Sequence, residues 1–287
     1  MKKMFLLYIV IICLIILSKN NFFNSFAFKD SVNNDLEIYF FDVGQADSIF
    51  IKNDDNTVLI DAGNNEDGLN IVNYLKNDLG ISDIDIVVGT HPHEDHIGGL
   101  DDIIRNFDIS DIYMPNVIST SKTFEDVLDV IEYKNYSVIT PSIDDVIKLG
   151  DMEFNVLYTS EDESDLNNSS IVLKLLFGNT SYLFTGDATS KVEKIILDKD
   201  IKADVLKVGH HGSKYSSANN FLNKVNPKYA IIMVGKNNKY NHPTSDTLNR
   251  LYDNGIIVYR TDIDGTIKII SDGIDIKVDN LDICLDG

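Results

Sequence analysis

From residue 36 onward the chain moves between two apolar rhythms. Short runs rich in β-branched and aromatic residues predict strands, and runs with an apolar residue every three or four positions predict helices. Residues 36–42 and 48–52 read as paired strands. The turn-forming Asn53-Asp54-Asp55-Asn56 leads to a third strand at 57–61, which stops at Asp61-Ala62-Gly63. Leu69, Val72, Leu75 and Leu79 lie at helical spacing ahead of Gly80, so 69–79 is predicted as a helix. A buried strand at 84–88 follows, then a short helix within 97–107 opened by Gly98-Gly99, a strand at 111–115 and a helix at 121–133.

The second half begins again with short strands, at 138–139, 146–149 and 153–158, and an acidic loop at 160–168 with no periodicity. Residues 171–177 and 182–185 predict a hairpin around Gly178-Asn179, followed by a helix at 189–197 and a strand at 203–208. Helix and strand then alternate through 221–225, 229–234, 245–252 and 256–259, and strands at 266–270 and 274–278 close the chain. Each half places hairpins first and helix–strand alternation second. Two mixed sheets packed face to face, with helices outside, would bury every apolar face. The middle carries no Pro-rich or Gly/Ser-rich linker, so one domain is expected over 36–280.

The first residues follow another pattern. Lys2-Lys3 precede an unbroken apolar run from Phe5 to Leu17, as in the charged and hydrophobic regions of a secretory signal. The run is short for a membrane span, which needs about 20 apolar residues. Ser25-Phe26-Ala27 offers small residues for cleavage, so residues 1–27 are expected to be a signal peptide, with retention as an amino-terminal anchor as the alternative. Either outcome places the domain outside the membrane, secreted or membrane-anchored. Cys13 lies in this leader, which leaves Cys284 with no partner for an internal disulfide.

Hydrophobic content of 44% and charged content of 24% are those of an ordinary globular protein. The net charge of −20 changes the picture more. An acidic surface repels polyanions and offers no basic stripe for tracking a nucleic acid, which argues against tight non-specific binding. It does not exclude a nuclease, because metal ions can supply local positive charge.

Half of the six histidines fall in Thr90-His91-Pro92-His93-Glu94-Asp95-His96, just after the strand at 84–88. A strand ending at Gly89-Thr90 would deliver His91, His93, Asp95 and His96 into one tight loop. Imidazole and carboxylate together suit zinc, manganese or iron. Two further sites end apolar strands: Gly186-Asp187 and His210-His211-Gly212-Ser213. By itself Asp187 also reads as a helix cap. Asp42, Asp47 and Asp61 are candidates to orient histidines through hydrogen bonds, with turn chemistry as the alternative. His242, before Pro243, is a candidate substrate contact or a structural loop histidine. Ser169, Ser170 and Ser213 could donate to a phosphate oxygen. None completes a Ser-His-Asp set, since the nearby histidines are better used on metal.

His-x-His-x-Asp-His at 91–96 resembles the signature of the metallo-β-lactamase-fold superfamily. Phe41-Asp42-Val43-Gly44-Gln45-Ala46-Asp47-Ser48, Leu59-Ile60-Asp61-Ala62-Gly63, Asn167-Asn168-Ser169-Ser170, Phe184-Thr185-Gly186-Asp187, His210-His211-Gly212-Ser213 and Tyr240-Asn241-His242-Pro243 narrow the likeness. In this order they resemble the hydrolase domain of ComEC-type DNA-uptake competence proteins and its stand-alone relatives, across roughly 36–270. The resemblance implies an αββα sandwich with its site at one edge, where loops of both halves meet. It implies two divalent ions, zinc or manganese. His91 and His93 would serve one, Asp95 and His96 the other, and Asp187 would bridge them. One of His210 and His211 would be the late ligand, with His210 favoured, and the other a general acid or substrate contact. Many members carry another histidine between the first cluster and the late Asp. Here Asn168 stands in its place, which implies one tight site and one weaker, exchangeable site where manganese competes.

The resulting expectation is an exported metal-dependent phosphodiesterase or nuclease, with Asp95, His210 and His211 in catalytic positions. Its substrate would be DNA or a cell-wall polymer, and no stable protein partner is implied. The alternatives are a β-lactam or lactone hydrolase of the same fold, and a non-catalytic metal-binding docking module.

Overall fold

The computed structural model describes residues 34–162 and 164–287. The amino-terminal segment at 1–27, expected to be a leader or anchor, lies outside the described residues. Among the described residues no helix is long and apolar enough to cross a membrane.

The strands form two mixed sheets. The first contains β1 (Leu36–Phe40), β2 (Ile49–Asn53), β3 (Asn56–Ile60), β4 (Asp83–Val88), β5 (Asp108–Tyr113), β6 (Val138–Ile139), β14 (Thr266–Ser271) and β15 (Ile276–Leu281), in the order β15-β14-β1-β2-β3-β4-β5-β6. The second contains β7 (Val146–Leu149), β8 (Met152–Tyr158), β9 (Val172–Phe177), β10 (Thr180–Phe184), β11 (Val205–Lys207), β12 (Tyr229–Ile232) and β13 (Ile257–Arg260), in the order β13-β12-β11-β10-β9-β8-β7. Each sheet is antiparallel where hairpins build it. It becomes parallel where helices intervene, across β3-β4-β5-β6 and β10-β11-β12-β13.

Alternation along each strand sorts its side chains between two faces. In β1, Leu36, Ile38 and Phe40 meet Phe154, Phe177 and Phe184 of the second sheet. Tyr39 points the other way, under α1 (Gly68–Asn73), α3 (Leu100–Asn106) and α4 (Lys122–Tyr133). The outer face of the second sheet is covered by α5 (Ser190–Ile195), α6 (Asn219–Val225) and α7 (Ser245–Asp253) through Val192, Phe221, Leu222 and Leu251. Three apolar layers between four layers of elements make the expected αββα sandwich.

Four elements depart from the sequence expectation. The helix at 69–79 is α-helical only to Asn73 and then widens into a π turn over Tyr74–Asp78. There Leu79 N–H bonds to Tyr74 O, five residues back. The buried face is Ile71, Val72 and Leu75, while Leu69, in the first turn, is exposed. The histidine segment is not a plain loop: Glu94–Ile97 forms a helical turn, α2, with His93 at its cap. β5 starts earlier than expected because Asp108 and Ile109 pair with Asp83 and Ile84 of β4. β15 starts later, because Asp272 accepts from the N–H groups of Ile274 and Asp275 and holds those residues in a turn. Packing also runs past residue 280: Leu285 N–H bonds to Asp42 O, and Gly287 N–H to the Asp67 carboxylate.

Candidate metal centre

The site lies where parallel strands end, the position at which open mixed sheets leave room for ligands. β3 runs into Asp61, β4 into His91 and His93, β10 into Asp187, and β11 into His210 and His211. Backbone bonds knit these loops together. Ala62 N–H donates to His96 O, Asp47 N–H to Asp95 O, and Ile171 N–H crosses from the second half to Thr90 O. Glycine is required where the first loops touch: a Cβ on Gly98 would lie 2.3 Å from Asn64 C, and one on Gly99 2.4 Å from Ala62 O.

Within this frame, one ligand atom each from Asp95, His96, Asp187 and His211 lies within 4.8 Å of the others. His96 Nε2 stands 3.2 Å from Asp187 Oδ1, and His211 Nε2 stands 3.3 Å from Asp95 Oδ2 and 3.7 Å from Asp187 Oδ2. Beside them His91 Nε2 and His93 Nδ1 converge at 3.0 Å, and the His91 and His96 rings are 4.1 Å apart. Of the last two histidines, the fold brings His211 rather than His210 into the cluster. His211 is buried with its Nε2 in the cluster, whereas His210 stands partly exposed at the mouth, its Nε2 3.7 Å from Asp187 Oδ2. The reason is the backbone: both residues adopt left-handed φ of 50°, which throws their side chains apart. Such strain costs about 1–3 kcal/mol per non-glycine residue and collects at functional sites.

The opposite nitrogens of the buried rings are also held. His96 Nδ1 meets Asp61 Oδ2 at 2.7 Å, and Asp61 in turn accepts from Thr90 N–H and Oγ1–H. His211 Nδ1 meets Met233 O at 2.9 Å, and His91 Nδ1 faces the Thr90 and Ser170 hydroxyls. Partners of this kind fix the tautomer and aim the other nitrogen.

Sequence reasoning missed Lys207. It is 1% exposed, its ammonium pairs with Asp47 Oδ2 and donates to Gly186 O at 3.0 Å, and Asp187 Oδ1 lies 3.8 Å away. Asp47 also approaches His211 Nδ1 at 3.4 Å and His96 Nδ1 at 3.7 Å, so one ion pair touches both histidine rings of the cluster. The available signal was a lone lysine inside the apolar strand Val205-Leu206-Lys207-Val208. Asp47, Asp61 and His96 also form a possible ligand group, but Lys207 already answers Asp47 there.

Other candidates fall elsewhere. Asp42 does not reach the histidines: its N–H donates to Thr266 Oγ1, its carbonyl accepts from Leu285 N–H, and Cys284 lies against its carboxylate. Asn168 is not free to complete a metal shell, because its Oδ1 accepts from Thr189 Oγ1–H and its Nδ2 donates to Asp165. Asn167, one residue earlier, lines the cavity instead and has an Oδ1 with no hydrogen-bond partner. Of the three serines, Ser169 and Ser170 spend their hydroxyl protons on backbone carbonyls, and Ser213 is buried and lies outside the residues that line the cavity. Ser169 donates to Leu166 O, Ser170 donates to Asn167 O and accepts from Asp187 N–H, and Ser213 accepts from Tyr215 N–H. Thr189, not Asp187, caps α5 by accepting from Lys191 N–H, which leaves the Asp187 carboxylate to the cluster. His242 lines the cavity, its ring 5.6 Å from that of His210 and stacked on Tyr240 at 5.7 Å.

The cluster opens into a cavity of about 660 Å³ bordered by loops of both halves. Its chemistry fits a cation. His96 Nε2, His211 Nε2 and Asp187 Oδ1 are buried, and only their close His–Asp approaches to one another and to Asp95 answer them within the protein. Four carboxylates, Asp47, Asp61, Asp95 and Asp187, meet there with Lys207 as the nearby ammonium. Burying so much negative charge is costly without a counter-ion. Burial pulls the pKa of His96 down, but Asp187, Asp61 and Asp47 outweigh it and drive it well above the usual histidine range. Burial likewise raises that of Asp187, and His96 and His211 outweigh it and hold it well below the carboxylate range. His91, by contrast, is held well below its ordinary value by burial and by neighbouring His96.

Comparison with known proteins gives the same reading. The model of the metallo-beta-lactamase superfamily matches residues 41–236. The chain is 33% identical over 252 residues to ComE operon protein 3 of Bacillus subtilis (strain 168), covering 81% of this chain and 32% of that protein. It is 28% identical over 242 residues to Competence protein ComA of Neisseria gonorrhoeae, covering 82% and 32%. These relatives are ComEC-type competence proteins, and the chain spans about a third of their length. Among solved structures, the metallo-beta-lactamase fold protein YhfI from Bacillus subtilis superposes with a TM-score of 0.57 at 11% identity, covering 83% of this chain and 100% of that one. That likeness is one of fold. With the histidine cluster, the paired mixed sheets and the family match in agreement, the chain belongs to the metallo-beta-lactamase superfamily.

Proposed function

We propose that the protein is an exported, metal-dependent phosphodiesterase that works with two divalent ions, zinc or manganese. The observation that carries this reading is the convergence of buried Nε2 atoms of His96 and His211 on Asp187, at the base of a cavity that His93, Asp95, Asp187 and His211 line, beside the paired His91 and His93. Asp95, His96, Asp187 and His211 would hold the tighter ion. His91 and His93, with Asp187 shared, would hold the weaker one, which lacks a further imidazole. Bound there, such ions lower the pKa of water to about 7 and stabilise the oxygens of an in-line displacement.

The chain's own groups supply the rest. Asp61 and Met233 O keep the His96 and His211 rings aimed at the cavity. His210, which borders the cavity, would hand a proton to the leaving oxygen. The acidic net charge favours a short or terminal phosphodiester, or a wall polymer with a cationic head, over a tracked duplex. The relatives' competence role favours DNA as the first polymer to test.

The test is hydrolysis of bis(p-nitrophenyl) phosphate by the full chain after chelation, with zinc or manganese added back, beside nitrocefin and a lactone. Metal-restored release from the phosphodiester alone is expected, and Asp95→Asn should lose it while melting normally. Activity confined to nitrocefin or the lactone, or an Asp95→Asn protein as active as the parent, would overturn the proposal.

A further inference from the structure

Gln45 sits in the turn after β1, at a place where two halves of the molecule press together. Gly44 turns the chain with φ +64°, and a Cβ on Gly235, after β12, would lie 2.6 Å from Gln45 N. Across this contact Gly235 N–H donates to Gln45 Oε1 at 3.2 Å. That bond settles which end of the amide is which, since only the oxygen can accept. Nε2 is thereby committed as a donor in a fixed direction. It is buried, it has no hydrogen-bond partner in the protein, and the residue lines the same cavity as Asp95, Asp187, His210 and His211. Buried amide donors are rarely left unpaired, because the lost hydrogen bond is not repaid.

The rest of the lining explains what this donor is for. Glu66, Glu94 and Asp286 present carboxylates, and Lys239 on an exposed loop is the one lysine or arginine among the lining residues. A neutral, rigidly held N–H group beside a metal-facing cluster is suited to an anionic oxygen. It adds a hydrogen bond without the mobility of a lysine. We infer that Gln45 is a substrate-binding residue whose Nε2 donates to a non-bridging oxygen of the phosphoryl group. This rests on the phosphodiesterase reading and extends it by naming the protein donor that grips the phosphate.

Gln45→Glu separates the roles of the two amide ends. It keeps an acceptor for Gly235 N–H and nearly the same shape, but replaces the donor by an anion. Gln45→Met removes both functions. The full chain, loaded with metal and checked for metal content and melting temperature, would be titrated with inorganic phosphate by calorimetry and assayed on bis(p-nitrophenyl) phosphate. The loss of one preorganised donor corresponds to about 100-fold in kcat/KM. Gln45→Glu should lose at least that much and bind phosphate far more weakly, with metal content unchanged, and Gln45→Met should lose less than Gln45→Glu. Parental phosphate affinity and turnover in Gln45→Glu would overturn the inference while leaving the phosphodiesterase reading intact. A parent that cleaves no phosphodiester, yet loses phosphate affinity on Gln45→Glu, would sink the functional reading and keep the donor. Neither cleavage nor a change in phosphate affinity would end both.

Discussion

The floor of the site and its rim are built on different terms. On the floor, three buried imidazole rings are gripped from behind: His96 by Asp61, His211 by Met233 O, and His91 by the hydroxyls of Thr90 and Ser170. Lys207 and Asp47 lie beneath them, fully enclosed. On the rim, His210, His242 and Tyr240 are partly open, their rings 5.6–5.7 Å apart, and several polar atoms have no partner. The loop that carries Tyr240 is stapled by Asn238, whose amide bonds to Gly235 O, His242 O and the N–H groups of Tyr240 and His242. The floor is thus over-determined, while the rim keeps unsatisfied groups; on the proposed reading the first would hold a cation and the second a substrate. Substitutions on the floor should therefore cost metal or stability, and those on the rim should cost turnover or affinity.

The adjacent histidines offer the sharpest break of this comparison. His211→Gln should lower bound metal, read by plasma emission spectrometry, and reduce kcat/KM by about 10,000-fold, or ~5 kcal/mol. His210→Gln should retain its metal and lose about 100-fold in kcat, the scale of a missing general acid. Metal loss in His210→Gln with retention in His211→Gln would invert the assignment of floor and rim.

Lys207 tests whether the floor is held by charge. Lys207→Met strands Asp47 among carboxylates, and breaking a buried pair in this way should lower unfolding free energy by about 4 kcal/mol. Lys207→Met combined with Asp47→Asn should recover a large part of that loss in urea denaturation, because the orphaned charge is gone. Strictly additive losses would show that the two residues act independently.

Glu193 gives the smallest effect and lies behind the rim. On α5, its carboxylate accepts from the N–H groups of Ser217 and Ala218, in the loop that follows the histidine pair. Burial pushes its pKa up to about 7, against the lowering effect of those two N–H groups. The folded state therefore binds this proton more tightly than the unfolded chain. The associated stability is complete below about pH 4.5 and is lost as pH rises through about 7, amounting to about 3 kcal/mol. Relative to Glu193→Gln, the parent should lose stability between about pH 4.5 and about 7 and then level off. Parallel pH profiles for the two proteins would refute that account.

Much of this architecture was legible in the chain, for reasons that can be named. Period-two and helical spacings placed nearly every strand and helix, because burial on one face demands them. The segment at 69–79 shows the limit: its apolar spacing is helical, but the α-helix gives way to a π turn after Asn73, which residue spacing does not announce. The first histidine cluster was legible because four ligand candidates lie within one turn of chain, so local geometry alone keeps them together. The pair His210-His211 was not resolvable from sequence. Which ring turns inward depends on left-handed φ values set by the surrounding loops. Asn167 and Asn168 exchanged places for a related reason, since Thr189 and Asp165 claim the amide of the second.

The sequence by itself determined the paired-sheet architecture, the strand ends from which ligands project, and the His/Asp chemistry of the site, because each follows from short-range spacing and side-chain type. Tertiary structure alone decided which of two adjacent histidines faces the cluster, that Asp42 turns away from it, and that Lys207 and the Gln45 amide belong beside it. Those outcomes depend on contacts between residues more than a hundred positions apart, such as Asp47 with Lys207 and Gln45 with Gly235. No local rhythm in the chain encodes which distant partner fills a buried hydrogen bond; only the packed sheets bring the candidates within reach.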